Sequence, residues 1–144
     1  MKKTILLVGL AFVGTSLFAV GTQKQDMPTS EMIKQNKQIV KLASQEISKT
    51  LPQKVDDYTT LQRVEGKDTT LTYVFEINTG SKSDEAVIKD DTERMKKVVT
   101  RGVCKSSKRF LDAQINVSYI YNSAISKKKL FQFDISKKDC LFKH

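Results

Sequence analysis

The sequence predicts an α+β domain of order α-β-β-α-β-β, with the helices on one face of a four-stranded antiparallel sheet and one disulfide. Three observations predict it. Two stretches carry apolar residues at helical spacing behind good cap residues, four stretches alternate with period two and fall into two adjacent pairs, and the two cysteines bracket the second pair.

The elements begin after a leader. Residues 1–21 read as a signal peptide: Lys2 and Lys3 start it, Ile5 to Val13 is apolar, and Ala19 and Gly21 supply small residues for a cut near Gly21. An uncleaved anchor is disfavoured, because Gly9, Gly14, Thr15 and Ser16 interrupt a run that should hold about 20 strongly apolar residues to span a bilayer. No cysteine stands at the cut, which excludes lipid attachment there. Residues 22–29 form a polar tether and residues 30–144 a single domain, so the expected location is periplasmic or secreted.

The first helix is expected from Ser30 to Thr50, capped by Thr29 or Ser30. Met32, Ile33, Ile39, Val40, Ala43 and Ile47 make its apolar stripe, which Asn36 interrupts, while Lys34, Lys37, Gln38, Lys41 and Gln45 face water. Pro52 turns the chain into a strand from Tyr58 to Glu65, with Tyr58, Thr60, Gln62 and Val64 opposite Thr59, Leu61 and Arg63. A turn at Gly66-Lys67-Asp68 leads to the most β-prone run, with Leu71, Tyr73, Phe75 and Ile77 on one face and Thr72, Val74 and Glu76 on the other.

Ser83 followed by Asp84 and Glu85 predicts the second helix, since the hydroxyl caps and the carboxylates suit the positive end of the macrodipole. Val87, Ile88, Met95, Val98 and Val99 form its apolar stripe, and Gly102 is the expected stop. Ser106 to Leu111 adds a turn that buries Phe110 and Leu111. A second hairpin follows, with Ile115, Val117, Tyr119 and Tyr121 on one face of its first strand and Phe131, Phe133 and Ile135 on one face of its second. The opposite sheet face, bearing Thr72, Glu76, Asn116, Ser118, Gln132 and Asp134, is expected to be exposed.

In an exported chain Cys104 and Cys140 most simply form one disulfide, and no Cys-x-x-Cys spacing supports redox catalysis. Losing Lys2 and Lys3 takes the formal net charge from +9 to +7, which favours anionic partners. Arg94, Lys97, Arg101, Lys105 and Lys108 recur at spacings of three and four, so a helix continuing through Lys108 would present them as a candidate stripe for anionic surfaces. Export removes nucleic acid as the partner and leaves an envelope protein, an anionic polymer or a lipid surface; a lysine-rich surface that serves solubility alone is the plain alternative.

Chemistry is sparse. The single histidine, His144, is the last residue, which closes Ser-His and Cys-His catalysis. Asp90, Asp91 and Glu93 read as solvated helix surface, and no cofactor or metal is called for. A carboxylate pair of Glu76 and Asp134 would need the hairpins to adjoin. No glycine-rich loop follows a strand to cradle phosphate, and the sequon Asn116-Val117-Ser118 lies inside a strand. The expected function is therefore a non-enzymatic binding or adaptor module of the bacterial envelope, the alternative being an inhibitor or immunity-type protein that plugs an enzyme's cleft with a loop such as Asn122 to Lys129.

The ordered motifs Leu51-Pro52, Val55-Asp56, Thr60-Leu61, Leu71-Thr72-Tyr73, Val103-Cys104, Tyr119-Ile120-Tyr121, Phe133-Asp134-Ile135 and Asp139-Cys140 resemble a group of small exported bacterial proteins of unassigned function. The plan is also similar to cystatin-like folds, in which a curved sheet cradles a helix. Cystatins inhibit through a glycine-bearing N-terminus and a Gln-x-Val-x-Gly loop; neither is present here, so the likeness carries no inhibitory residues.

Overall fold

The computed structural model describes residues 29–141. The expected signal peptide, the tether up to Pro28 and His144 lie outside the described residues. The elements are α1 (Ser30–Ser48), β1 (Gln53–Lys54), β2 (Thr59–Lys67), β3 (Thr70–Ile77), α2 (Asp84–Ser106), α3 (Lys108–Asp112), β4 (Asn116–Ser123), β5 (Lys129–Ile135) and a closing 3-10 turn, Lys137–Cys140. The α+β class stands, and both hairpins form: β2 pairs antiparallel with β3, and β4 with β5.

The sheet itself differs from expectation. It has five strands in the order β1-β2-β3-β4-β5, because the two residues of β1 after Pro52 add to the β2 edge. It is mixed rather than antiparallel, since β3 and β4 run parallel, with Leu71 beside Val117 and Phe75 beside Tyr121. Element lengths explain this. The 23 residues of α2 span roughly 34 Å at 1.5 Å per residue, whereas the 8 residues of β3 span about 26 Å at 3.3 Å per residue. The helix thus returns the chain past the start of β3, and β4 sets off in the same direction, as a crossover connection requires.

Three local expectations fail for identifiable reasons. Gly66 is not the turn: it lies within β2 where α1 crosses, and a Cβ there would sit 2.8 Å from both Cγ1 and the carbonyl oxygen of Val40. The turn is Asp68-Thr69, with Asp68 at φ 51°. A β-bulge between Leu61 and Arg63 shifts the alternation of β2, so that Leu61 and Val64 are both buried. Gly102 does not stop α2, which continues to Ser106; burial of Val99 and Val103 outweighs the roughly 1 kcal/mol a helical glycine costs relative to alanine.

The caps are as expected: Thr29 accepts from the Met32 amide, and Ser83 from the Ala86 amide. Asn36, the polar break in the first stripe, is 3% exposed and donates from Nδ2 to the Ala113 carbonyl at 2.6 Å. It ties α1 to the turn between α3 and β4. Around that tie one end of the sheet is closed by Val40, Leu71, Val103, Leu111, Ile115 and Val117, all within one apolar cluster. The disulfide Cys104–Cys140 joins the last turns of α2 to the segment after β5, with Cα atoms 5.5 Å apart. Phe110 and Leu111 pack as expected.

Candidate functional site

The other end of the same sheet face is open. Period-two alternation places Tyr73 and Phe75 of β3 beside Tyr119 and Tyr121 of β4, with Phe131 and Phe133 of β5 beyond. The rings pack continuously: Tyr73 to Tyr119 at 5.1 Å, Phe75 to Tyr119 at 5.0 Å, and Phe75 stacked on Tyr121 at 4.8 Å between centroids. This floor lies under a groove of about 740 Å³, walled on one side by Val87, Met95, Val98 and Val99 of α2 and on the other by Val55, Asp56 and Tyr58 before β2.

The walls carry apolar side chains that the fold leaves uncovered. Val98 is 59% and Tyr58 69% exposed. Val98 was expected within the buried stripe of α2, as was Ile88, which is also exposed; the stripe is wider than the sheet beneath it can cover. The floor phenols are held neutral. Burial raises Tyr73, Tyr119 and Tyr121 above the ordinary tyrosine range, Tyr119 to about 12.

Rim charges are already engaged. Lys82 Nζ lies 3.1 Å from Asp90 and 3.3 Å from Asp91, and Arg94 donates to Asp91 at 3.0 Å. Hydrogen bonds from Arg94 and then Lys82 lower the Asp91 carboxyl below its usual range. The Tyr58 amide, together with Thr59, lowers Asp56. No Ser, Cys or His lines the groove among the described residues.

The sequence-predicted residues fall as follows. Arg94 stands at the groove rim and Lys97, Arg101 and Lys105 are exposed further along α2, while Lys108 begins α3 beyond the break at Ser107 and pairs with Asp112. Lys97, Arg101 and Lys105 make no ion pair among the described residues. Glu76 and Asp134 do not form a pair. Glu76 sits opposite Asn122 and meets Gln62 and Lys127, whereas Asp134 sits opposite Ser118 on β5 and accepts from its hydroxyl at 2.6 Å. That bond buries Ser118, which was expected to be exposed. Asp90 and Asp91 hold Lys82, and no three metal-ligating residues converge among the described residues. The groove was not foreseen; its signal was the surplus of apolar positions on the second helix, together with aromatics repeating on one face of both hairpins.

The family model of DUF8479, a domain of unknown function, matches residues 34–131. The chain belongs to that family. No curated protein matches it. Its fold is similar to that of three solved proteins. One is a Pseudomonas aeruginosa protein classed as secreted (TM-score 0.66, 10% identity, 78% of this chain and 98% of that one). The second is EpsS, the pilotin of the Vibrio vulnificus type 2 secretion system (0.64, 12%, 80% and 100%). The third is AspS, the type II secretion system pilotin of Vibrio cholerae (0.62, 16%, 76% and 96%).

Proposed function

We propose that the chain is a non-enzymatic adaptor of the bacterial envelope, periplasmic or secreted once its leader is removed, which holds an apolar segment of another envelope protein in the groove. The observation that carries this reading is the groove: an aromatic floor with exposed Val98 and Tyr58 at its rims, in a domain whose other end is closed by a buried apolar cluster. Similarity in fold to two secretion-system pilotins supports an envelope role. The engaged state of the rim charges supports binding over catalysis.

The plug alternative is less favoured by the turn after β4. Ser123 Oγ accepts from the amides of Ile125 and Ser126, and Lys127 pairs with Glu76. This makes a tied-down turn instead of a projecting loop. The finer proposal for the basic stripe is that Lys97, Arg101 and Lys105, with Arg94 and Lys108 at its ends, add attraction to anionic envelope polymer or lipid. Such attraction should weaken with salt as the Debye length falls from about 10 Å at 0.1 M to about 3 Å at 1 M.

Affinity capture from envelope extract tests the main reading. Wild-type protein should retain one envelope protein in stoichiometric amount, and Val98→Asp should not. Equal retention by both proteins would reject the groove as the docking site.

A further inference from the structure

We infer that the segment docked in the groove carries an arginine, whose guanidinium lies over the groove's tyrosines and against the Asp56 carboxylate. This rests on the reading of the groove as a protein-docking site and names one residue of its occupant.

The need for a polar residue in that segment follows from the tyrosines. The chain has four, Tyr58, Tyr73, Tyr119 and Tyr121, and all four line the groove, although the connection before β2, β3 and β4 supply them separately. None of their hydroxyls bonds to another described residue. Elsewhere the fold is strict, since no fully buried side-chain nitrogen or oxygen among the described residues lacks a partner. A purely apolar segment laid on the floor would strip water from these phenols and return nothing, at the cost of an unmade hydrogen bond for each one covered. The segment must therefore bring hydrogen-bonding groups of its own.

Charge decides which groups. Four charged residues line the groove: Asp56, Lys82, Asp91 and Arg94. Lys82 is shared by Asp90 and Asp91, and Arg94 pairs with Asp91, so the α2 side is already neutralised. Asp56 forms no ion pair among the described residues. Its Oδ1 accepts the amides of Tyr58 and Thr59, both at 2.8 Å, which favours the ionised carboxylate. Lys54, whose charge acts in the same direction, is bonded to Asp57 at 3.3 Å and does not line the groove. The uncompensated lining charge is therefore negative, and it is felt on the floor: after burial and Tyr119, the Asp56 charge helps to raise the Tyr121 phenol. An acidic segment is repelled there, while a cation gains both the carboxylate and the negative faces of the rings. Arginine suits best. Its flat guanidinium stacks on aromatic faces, and it offers five N–H donors to the phenol and carboxylate oxygens.

The test uses short, labelled, leucine-rich peptides in which one variable residue is moved through every position. That residue is arginine, its neutral isostere citrulline, or glutamate. Fluorescence anisotropy is measured against the chain from residue 22 onward. The best-placed arginine peptide should bind about tenfold tighter than its citrulline counterpart, the scale on which an exposed ion pair and a cation over a ring add, and the glutamate peptide should bind weakest. Asp56→Asn keeps an oxygen for the two amides and removes the charge, so it should erase most of the arginine advantage. Val98→Asp should abolish binding of the citrulline peptides. Both positions are exposed, and unchanged melting verifies that the variants fold. Equal binding of arginine and citrulline peptides at every position, or an advantage untouched by Asp56→Asn, overturns the arginine while leaving the groove reading intact. Citrulline peptides that still bind Val98→Asp reject the groove as the docking site, and the inference with it. Both also fail if no peptide binds.

Discussion

The two ends of one sheet face differ in how the helices meet it. At the closed end α1 comes so near β2 that only glycine fits at position 66, Asn36 reaches the Ala113 carbonyl, and the disulfide fixes the foot of α2. At the open end the same strands present larger side chains, the aromatics from Tyr73 to Tyr121, and α2 stands across a groove from the β1–β2 connection. Small residues draw backbone together and complete a core; rings between well-separated walls leave a surface to be covered by something else. On the proposed reading, stability therefore concentrates at one end and binding at the other.

That division can be broken from the closed end first. Leu71 has no exposed surface, so Leu71→Ala should cost about 2–5 kcal/mol, as large-to-small core changes do, measured by urea unfolding. The disulfide comes next. Its partners are separated by 36 residues, and removing both cysteines should cost very roughly 3 to 4 kcal/mol in the chain-entropy model; native protein should also show no thiol reactive to Ellman's reagent. Gly66→Ala should cost about 1–3 kcal/mol, as overpacking does, because a methyl there collides with the backbone and side chain of Val40. At the open end Val98→Ala should change stability by less than about 0.5 kcal/mol, as surface substitutions do.

Alkaline pH sharpens the comparison from the floor. Tyr73, Tyr119 and Tyr121 have folded pKa values raised above the unfolded value, so the unfolded chain releases these protons first. The stability they support is complete below about pH 10, the unfolded tyrosine range, and is lost as pH rises through the folded value of about 12 for Tyr119. Unfolding free energy should fall over that window, and Tyr119→Phe should lessen the fall.

Much of the fold was legible in the sequence: both caps, both hairpins, the cysteine pair and the apolar faces from Leu71 to Ile77 and Ile115 to Tyr121. Strand direction was not, because alternation looks the same in either direction, and only the length of α2 against β3 reveals the crossover. Gly66 and Gly102 were misread together. Composition marks a glycine as punctuation, whereas its role depends on what approaches it: Val40 at one, nothing within 4 Å at the other. The groove was legible only in part. The stripe of α2 was visible, but the exposure of Val98 depends on where α1 stops covering the sheet, and periodicity does not encode that distance.

The most direct test places a photocrosslinking amino acid at Val98 and, separately, at Leu42, an exposed apolar position on α1 outside the groove, in the bacterium that makes the protein. The account predicts one discrete adduct with an envelope protein from position 98 and none from position 42. The same adducts from both positions, or an adduct from position 42 alone, would contradict it.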